Sequence, residues 1–151
     1  MRLLTLGFFA VVILSLLKVQ PATAQSETRP LSTAQQATSP EVIAIKFHAD
    51  WCGSCRRMGS VFEDLATVAE DQPVLFTQLD LTDRSSRKQA EYLMSLLKLG
   101  QIWEEAGAGE KTGFILLVDA DNHEVLGQLT ADQDLKQMKA ALADTVTKAQ
   151  G

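Results

Sequence analysis

Apolar positions fall along this chain in two patterns: short, nearly unbroken runs, and longer segments in which they recur every three or four residues. Val42-Ile43-Ala44-Ile45-Lys46-Phe47 is the first run, and its β-branched, near-continuous character predicts a strand covered on both faces. Residues 53 to about 70 follow a helical period, with Met58, Val61, Phe62, Leu65 and Ala69 on one stripe and Glu63, Asp64 and Glu70 off it. After Pro73, residues 74–81 predict a second strand. Residues 83–86 would cap a helix whose Ala90, Leu93, Leu96 and Leu97 carry it to about Lys98. Gly100 weakens that helix, whereas residues 101–106 could prolong it to the Gly107-Ala108-Gly109 break. A third strand over 113–119 runs into the polar turn 120–123 and a hairpin partner over 124–129. Residues 131–148 close the chain as a helix with Leu135, Met138, Leu142 and Val146 on one face. The order β-α-β-α-β-β-α, with right-handed crossovers and a final hairpin, predicts an α/β fold: a central mixed β-sheet flanked by helices.

The N-terminus follows a different rule. Arg2 precedes an apolar or small run over residues 3–17, interrupted by Thr5 and Ser15, and Ala22-Thr23-Ala24 supplies small residues at the positions a signal peptidase reads. Residues 1–24 are therefore expected to be a cleaved secretory signal peptide, since a run closed by Lys18 is short against the roughly 20 residues of a membrane span. Residues 25–40, rich in Gln, Ser and Thr, read as a flexible N-terminal extension in which 33–37 could form a helical turn. The domain proper is expected over 41–148. Export would place the protein in the periplasm of a Gram-negative bacterium, or outside the cell otherwise, with no stable membrane anchor after cleavage.

At 151 residues the chain has room for one such domain. Without residues 1–24 it keeps 12 basic and 19 acidic residues, a net charge of −7. That balance argues against nucleic acid or an anionic membrane as a partner, because both select basic patches.

The chemistry concentrates where the first strand meets the first helix. Cys52 and Cys55 are the only cysteines, and an oxidising compartment permits a disulfide between them. On a first helical turn, positions i and i+3 share a face and can close a disulfide without moving the backbone far. Cys52, expected at the exposed turn, would have the lower pKa at the positive end of the helix dipole, and Cys55, one turn in, would resolve a mixed disulfide. Arg56 and Arg57 add positive charge and read equally well as solvated helix positions. A permanent structural disulfide is the plainer alternative, although so short a loop removes little chain entropy.

Ala49-Asp50-Trp51-Cys52-Gly53-Ser54-Cys55-Arg56, following a β-rich strand and inside this element order, resembles the active site of the thioredoxin superfamily, particularly its exported members. The resemblance covers about residues 41–148. It implies a thioredoxin-like three-layer sandwich and thiol-disulfide exchange, with Cys52 as nucleophile, Cys55 as resolving thiol, Trp51 as a contact beside the site, and Gly53 and Ser54 between the sulfurs. It implies no cofactor and no resident metal. The expected partners are a protein thiol or disulfide substrate and a redox partner protein, with a lean toward reductase or electron relay.

Three positions depart from that family's pattern. Lys46 stands where the family carries a buried acid; as an ammonium it would favour a neighbouring thiolate, or its stem packs while its charge reaches water. Thr112-Gly113 falls where the family has a cis-proline. A trans peptide is expected there, because a non-proline cis bond costs about 2.5–4 kcal/mol, together with a looser or differently shaped substrate groove. On that basis Gly113→Pro would raise exchange. His48 occupies a place where an aromatic residue is common; it could tune Cys52 or simply pack at a strand end, and His123 reads as a surface turn residue. A rival function keeps the fold and drops the turnover: a binding protein whose cysteine pair holds a soft metal such as copper, or a protein partner.

Overall fold

The computed structural model describes residues 39–151. The expected signal peptide, most of the expected extension and its helical turn lie outside the described residues. Strand β1 (Val42–His48) leads into helices α1 (Gly53–Met58) and α2 (Val61–Val68), then β2 (Val74–Asp80). Helices α3 (Arg84–Leu96) and α4 (Gly100–Glu105) follow, then the hairpin β3 (Phe114–Asp119) and β4 (Val125–Thr130), and finally α5 (Leu135–Ala149).

The four strands form one sheet in the order β2-β1-β3-β4. β1 pairs parallel with β2 and antiparallel with β3, and β3 pairs antiparallel with β4. β1 is thus central, and its residues 42–47 are all buried, which is why it lacks a polar face. Its side chains alternate between two cores. Val42 and Ala44 pack with Met58, Phe62 and Leu65, and with Leu142 of α5, while Ile43, Ile45 and Phe47 pack with Leu79, Met94, Leu99 and Trp103. The result is the expected three-layer sandwich, with α2 and α5 on one face and α3 and α4 on the other.

Two helical boundaries differ from the sequence pattern. The stripe over residues 53–70 is carried by two helices, because Gly59 takes φ 49° and ψ −131°, a conformation closed to residues with a Cβ. Its N–H donates to the Cys55 carbonyl at 3.1 Å and ends α1 there. Gly100 opens α4 instead of weakening a longer helix: α3 ends at Leu96, Lys98 turns to φ 60°, and the chain restarts. At the third helix the predicted cap holds, with Asp83 Oδ1 accepting the Ser86 N–H at 2.9 Å. The last helix begins four residues later than expected, because Asp134 and Gln137 form a reciprocal capping box. That box leaves Ala131 to the preceding turn.

Phe47 locks the end of β1. Its ring stacks on Phe114 with centroids 4.6 Å apart and on Trp103 at 6.5 Å, with no exposed surface. Phe47→Ala is expected to lower stability by about 3–5 kcal/mol, read by urea denaturation of the oxidised protein.

Candidate active site

β1 delivers the chain to a tight turn in which the Cys52 N–H donates to the Ala49 carbonyl at 3.0 Å. Cys52 then serves as the N-cap of α1 in extended geometry, and its sulfur accepts the Cys55 N–H at 3.0 Å. A sulfur-bearing residue therefore fills the capping position that oxygen-bearing side chains usually take. Cys52 and Cys55 are joined as a disulfide with Cα atoms 5.2 Å apart. The Cys55 sulfur lies 3.8 Å from the Phe47 carbonyl oxygen.

Cys52 does not sit exposed as the strand-to-helix turn suggested; only 6% of it reaches solvent. The cover comes from across the sheet. Gly113, at φ +86°, donates its N–H to the Phe47 carbonyl at 2.7 Å. A Cβ on Gly113 would lie 2.5 Å from Ser54 Cβ and 3.1 Å from Cys52 Sγ, so only glycine permits this approach. The placement of Thr112-Gly113 opposite the pair and the trans peptide both hold, since no cis bond occurs among the described residues. At Gly113 it is bare backbone, with no side chain, that approaches the Cys52 sulfur. Gly113→Pro meets a physical obstacle, because proline requires φ near −65° where Gly113 has +86°, and it removes the N–H that donates to the Phe47 carbonyl.

The residues around the pair divide into those that touch the active turn and those that do not. Trp51 is 54% exposed, and its indole N–H donates to the Thr82 carbonyl at 3.1 Å. The Asp50 N–H donates to Thr82 Oγ1 at 3.1 Å, and the Thr82 N–H donates to Asp80 Oδ1 at 2.9 Å. Thr82 thus fastens the turn from the adjacent parallel strand, a role that sequence reading missed. The available signal was topological, since parallel neighbours end at the same edge of the sheet. Arg56 donates to the Asp50 carbonyl and Arg57 to Ser54 Oγ, at 3.1 and 3.0 Å. A Cβ on Gly53 would meet only the tip of Arg57 at 3.9 Å, so the turn itself does not demand glycine there.

Lys46 and His48 have partners other than the sulfurs. Lys46 is 4% exposed, with Nζ 3.6 Å from Glu63 Oε1 and 5.0 Å from the Phe62 ring centroid. Its stem packs and its charge reaches toward the exposed Glu63 on α2. His48 Nε2 lies 3.3 Å from Asp50 Oδ1, while Nδ1 is buried without a partner. Asp80 stands opposite His48 in the ladder. Hydrogen bonds from the Thr82 side chain and backbone hold the Asp80 carboxyl below its ordinary value, with smaller help from Ser86 and the His48 charge, against a small opposing effect of burial. His123 lies at φ 63° in the β3–β4 turn, far along the chain from these groups.

The Thioredoxin family model matches residues 30–112, more than half of the chain. This chain belongs to the thioredoxin family. The match takes in both cysteines and stops at Thr112, one residue short of the glycine that lies against Cys52. A Streptomyces coelicolor protein, "Putative thioredoxin 2", is 28% identical over 115 residues, covering 76% of this chain and 82% of that one. Ictalurus punctatus thioredoxin is 33% identical over 52 residues, 34% of this chain and 49% of its own. Protein disulfide-isomerase of Ricinus communis is 24% identical over 93 residues, 55% of this chain and 19% of its own. The solved structure of Malassezia sympodialis thioredoxin aligns at 22% identity with a TM-score of 0.41, covering 76% of this chain and 82% of that one.

Two outcomes test the site's construction. Gly113→Pro is expected to cost at least about 2 kcal/mol in denaturant unfolding and to perturb the near-ultraviolet signal of the site's aromatic residues. For Asp80, a depressed folded pKa stabilises the fold above the unfolded value, and that contribution is lost as pH falls below 3.8 toward the folded value. Asp80→Asn should therefore be less stable than the parent at pH 7, with the gap closing in acid; a gap independent of pH would refute the assignment.

Proposed function

We propose that this thioredoxin-family chain is an exported thiol-disulfide oxidoreductase for protein substrates, acting as a reductase or electron relay. The observation that carries the reading is the unequal setting of the two sulfurs. Cys52 Sγ receives a backbone N–H at a helix start, which favours thiolate. Cys55 Sγ faces the Phe47 carbonyl, an acceptor that favours the protonated thiol. Cys52 is therefore the nucleophile and Cys55 the resolving thiol.

In the reducing direction, the Cys52 thiolate attacks one sulfur of a substrate disulfide and displaces the other as thiolate. Cys55 then loses its proton and attacks the Cys52 sulfur, releasing the second substrate thiolate. Two electrons pass to the substrate, and the Cys52–Cys55 disulfide re-forms. A redox partner protein returns the pair to the dithiol. Trp51, Gly53, Ser54, Thr112 and Gly113 shape the approach to the nucleophile, with Lys46 and His48 in outer positions.

Similarity to proteins named thioredoxin and protein disulfide-isomerase supports exchange, and the pattern of residues 1–24 supports export to the periplasm or the cell exterior. Among the described residues no helix is long and apolar enough to cross a membrane. The soft-metal alternative is left with two sulfurs, since the described residues contain no cluster of three or more His, Cys, Asp or Glu side chains.

The test is exchange with a model disulfide. Wild type is expected to react faster than a free thiol and Cys52→Ala not at all, while Cys55→Ala should accumulate a mixed disulfide visible by mass spectrometry. A wild-type rate no greater than that of a free thiol, with stoichiometric Cu(I) uptake, would replace this reading with the binding one.

A further inference from the structure

Every arginine among the described residues falls in one of the two helices that begin beside the reactive turn: Arg56 and Arg57 in α1, Arg84 and Arg87 in the first turn of α3. Thr82 joins the two segments, since it holds the Asp50 N–H and the Trp51 indole and is followed at once by the Asp83 cap of α3. The chain as a whole has the opposite sign, with a net charge of −7 over residues 25–151. Basic residues in a first helical turn oppose the helix dipole, so helix stability does not account for the pair in α3.

Arg56 and Arg57 lie on the active turn itself. Arg57 Nη2 donates to Ser54 Oγ at 3.0 Å, and Nη1 lies 3.9 Å from the position a Cβ would take on Gly53. This guanidinium therefore sits over the two residues that separate the cysteines. Ser54 Oγ is in turn 3.4 Å from the Cβ position of Gly113, which is 3.1 Å from Cys52 Sγ. Arg56 Nη1 donates to the Asp50 carbonyl at 3.1 Å, on the N-terminal side of Cys52 in the chain.

Both arginines are exposed, and a guanidinium has five N–H donors to offer. Their acceptors here are neutral oxygens, and neither pairs with a carboxylate among the described residues, where the ion pairs are Lys46–Glu63 and His48–Asp50. The carboxylates close to the turn are taken by internal donors: Asp50 by His48 Nε2, Asp80 by the Thr82 N–H and Asp83 by the Ser86 N–H. A molecule approaching the sulfurs therefore meets positive charge without a counter-ion, in the planar fork that matches a carboxylate.

We propose that Arg56 and Arg57 select protein substrates that carry an acidic residue, Asp or Glu, directly beside the cysteine presented to Cys52. The inference rests on the oxidoreductase reading and adds a charge criterion to it. The carboxylate meets the guanidiniums as the sulfurs approach, which speeds association, and the advantage fades as salt screens it.

The experiment uses the reduced full chain and short, otherwise neutral peptides whose single cysteine is blocked as a mixed disulfide with 2-thiopyridine. The Cys52 thiolate attacks the peptide sulfur, the sulfur–sulfur bond breaks, and pyridine-2-thione leaves with a proton. Cys55 then loses its proton, attacks the Cys52 sulfur and frees the peptide thiolate, so two electrons pass from the pair to the substrate. Matched peptides carry Glu or Lys next to the cysteine, on either side. Each rate constant is divided by that of the same peptide with 2-mercaptoethanol, which removes the intrinsic reactivity of its disulfide. At low salt the normalised Glu-to-Lys ratio is expected to be roughly ten on at least one side, falling toward one as salt is added. It should drop to about one in Arg56→Gln/Arg57→Gln and invert in Arg56→Glu/Arg57→Glu. Taking the ratio within each variant cancels effects on folding and on Cys52 ionisation, which act on both peptides alike. A wild-type ratio near one on both sides, or a ratio kept in the double glutamine variant, overturns the inference while leaving exchange intact. A preference for 3,3′-dithiodipropionate over the neutral bis(2-hydroxyethyl) disulfide, with no effect among the peptides, also overturns it and assigns the arginines to small acidic disulfides. A wild type that reacts with none of these disulfides faster than 2-mercaptoethanol does overturns the parent reading as well.

Discussion

The Phe47 carbonyl is the point on which the site depends. It is the last carbonyl but one of the central strand, and it serves two partners: it accepts the Gly113 N–H at 2.7 Å and faces the Cys55 sulfur at 3.8 Å. The first contact fixes the backbone that covers Cys52, and the second sets the environment of the other thiol. The Phe47 ring, fully buried and stacked on Phe114 and Trp103, anchors the residue that carries this carbonyl. Core packing and redox chemistry are thus joined through one residue that neither titrates nor reacts.

Around that point the family's arrangement is rebuilt with different parts. Glycine at 113 allows closer approach than any side chain would, and Ser54 fills the space against it. Arg57 then holds the Ser54 hydroxyl. Beneath the sheet, Lys46 makes its ion pair with Glu63 and its ring contact with Phe62, so its charge is engaged on the α2 side. The asymmetry between the sulfurs consequently arises from main-chain groups, the Cys55 N–H on one and the Phe47 carbonyl on the other. Main-chain dipoles of this kind do not change protonation state across the physiological range.

Much of the fold was legible because its signals are local. Unbroken burial in β1, the helical stripes and the aspartate cap of α3 each report on a few neighbouring residues, and each predicted its element. The positions that escaped depend on contacts between distant segments or on competition between adjacent signals. Gly59 sits inside a continuous helical period, and nothing nearby distinguishes a glycine that bends the chain from one that merely weakens it. The burial of Cys52 depends on Gly113, some sixty residues away along the chain. Thr82 looks like any polar residue after a strand until the parallel pairing of β1 and β2 brings it beside Asp50 and Trp51. The start of α5 was misplaced because Ala131 reads as a helix former, whereas the reciprocal Asp134–Gln137 cap is the stronger determinant.

The bend at Gly59 also sets a cooperative boundary. α1 is a six-residue segment with its own terminus, so its hydrogen bonds can fray without taking those of α2 with them. In the oxidised state the sulfur bridge spans half of that segment and pins it. A helix this short does not persist by its own propensity; apart from the bridge it is held by Cys55 and Met58 in the core, by the Cys52 cap and by the Arg56 and Arg57 hydrogen bonds. The Cys52–Cys55 bridge thus constrains a short helical unit whose terminus at Gly59 is separate from that of α2.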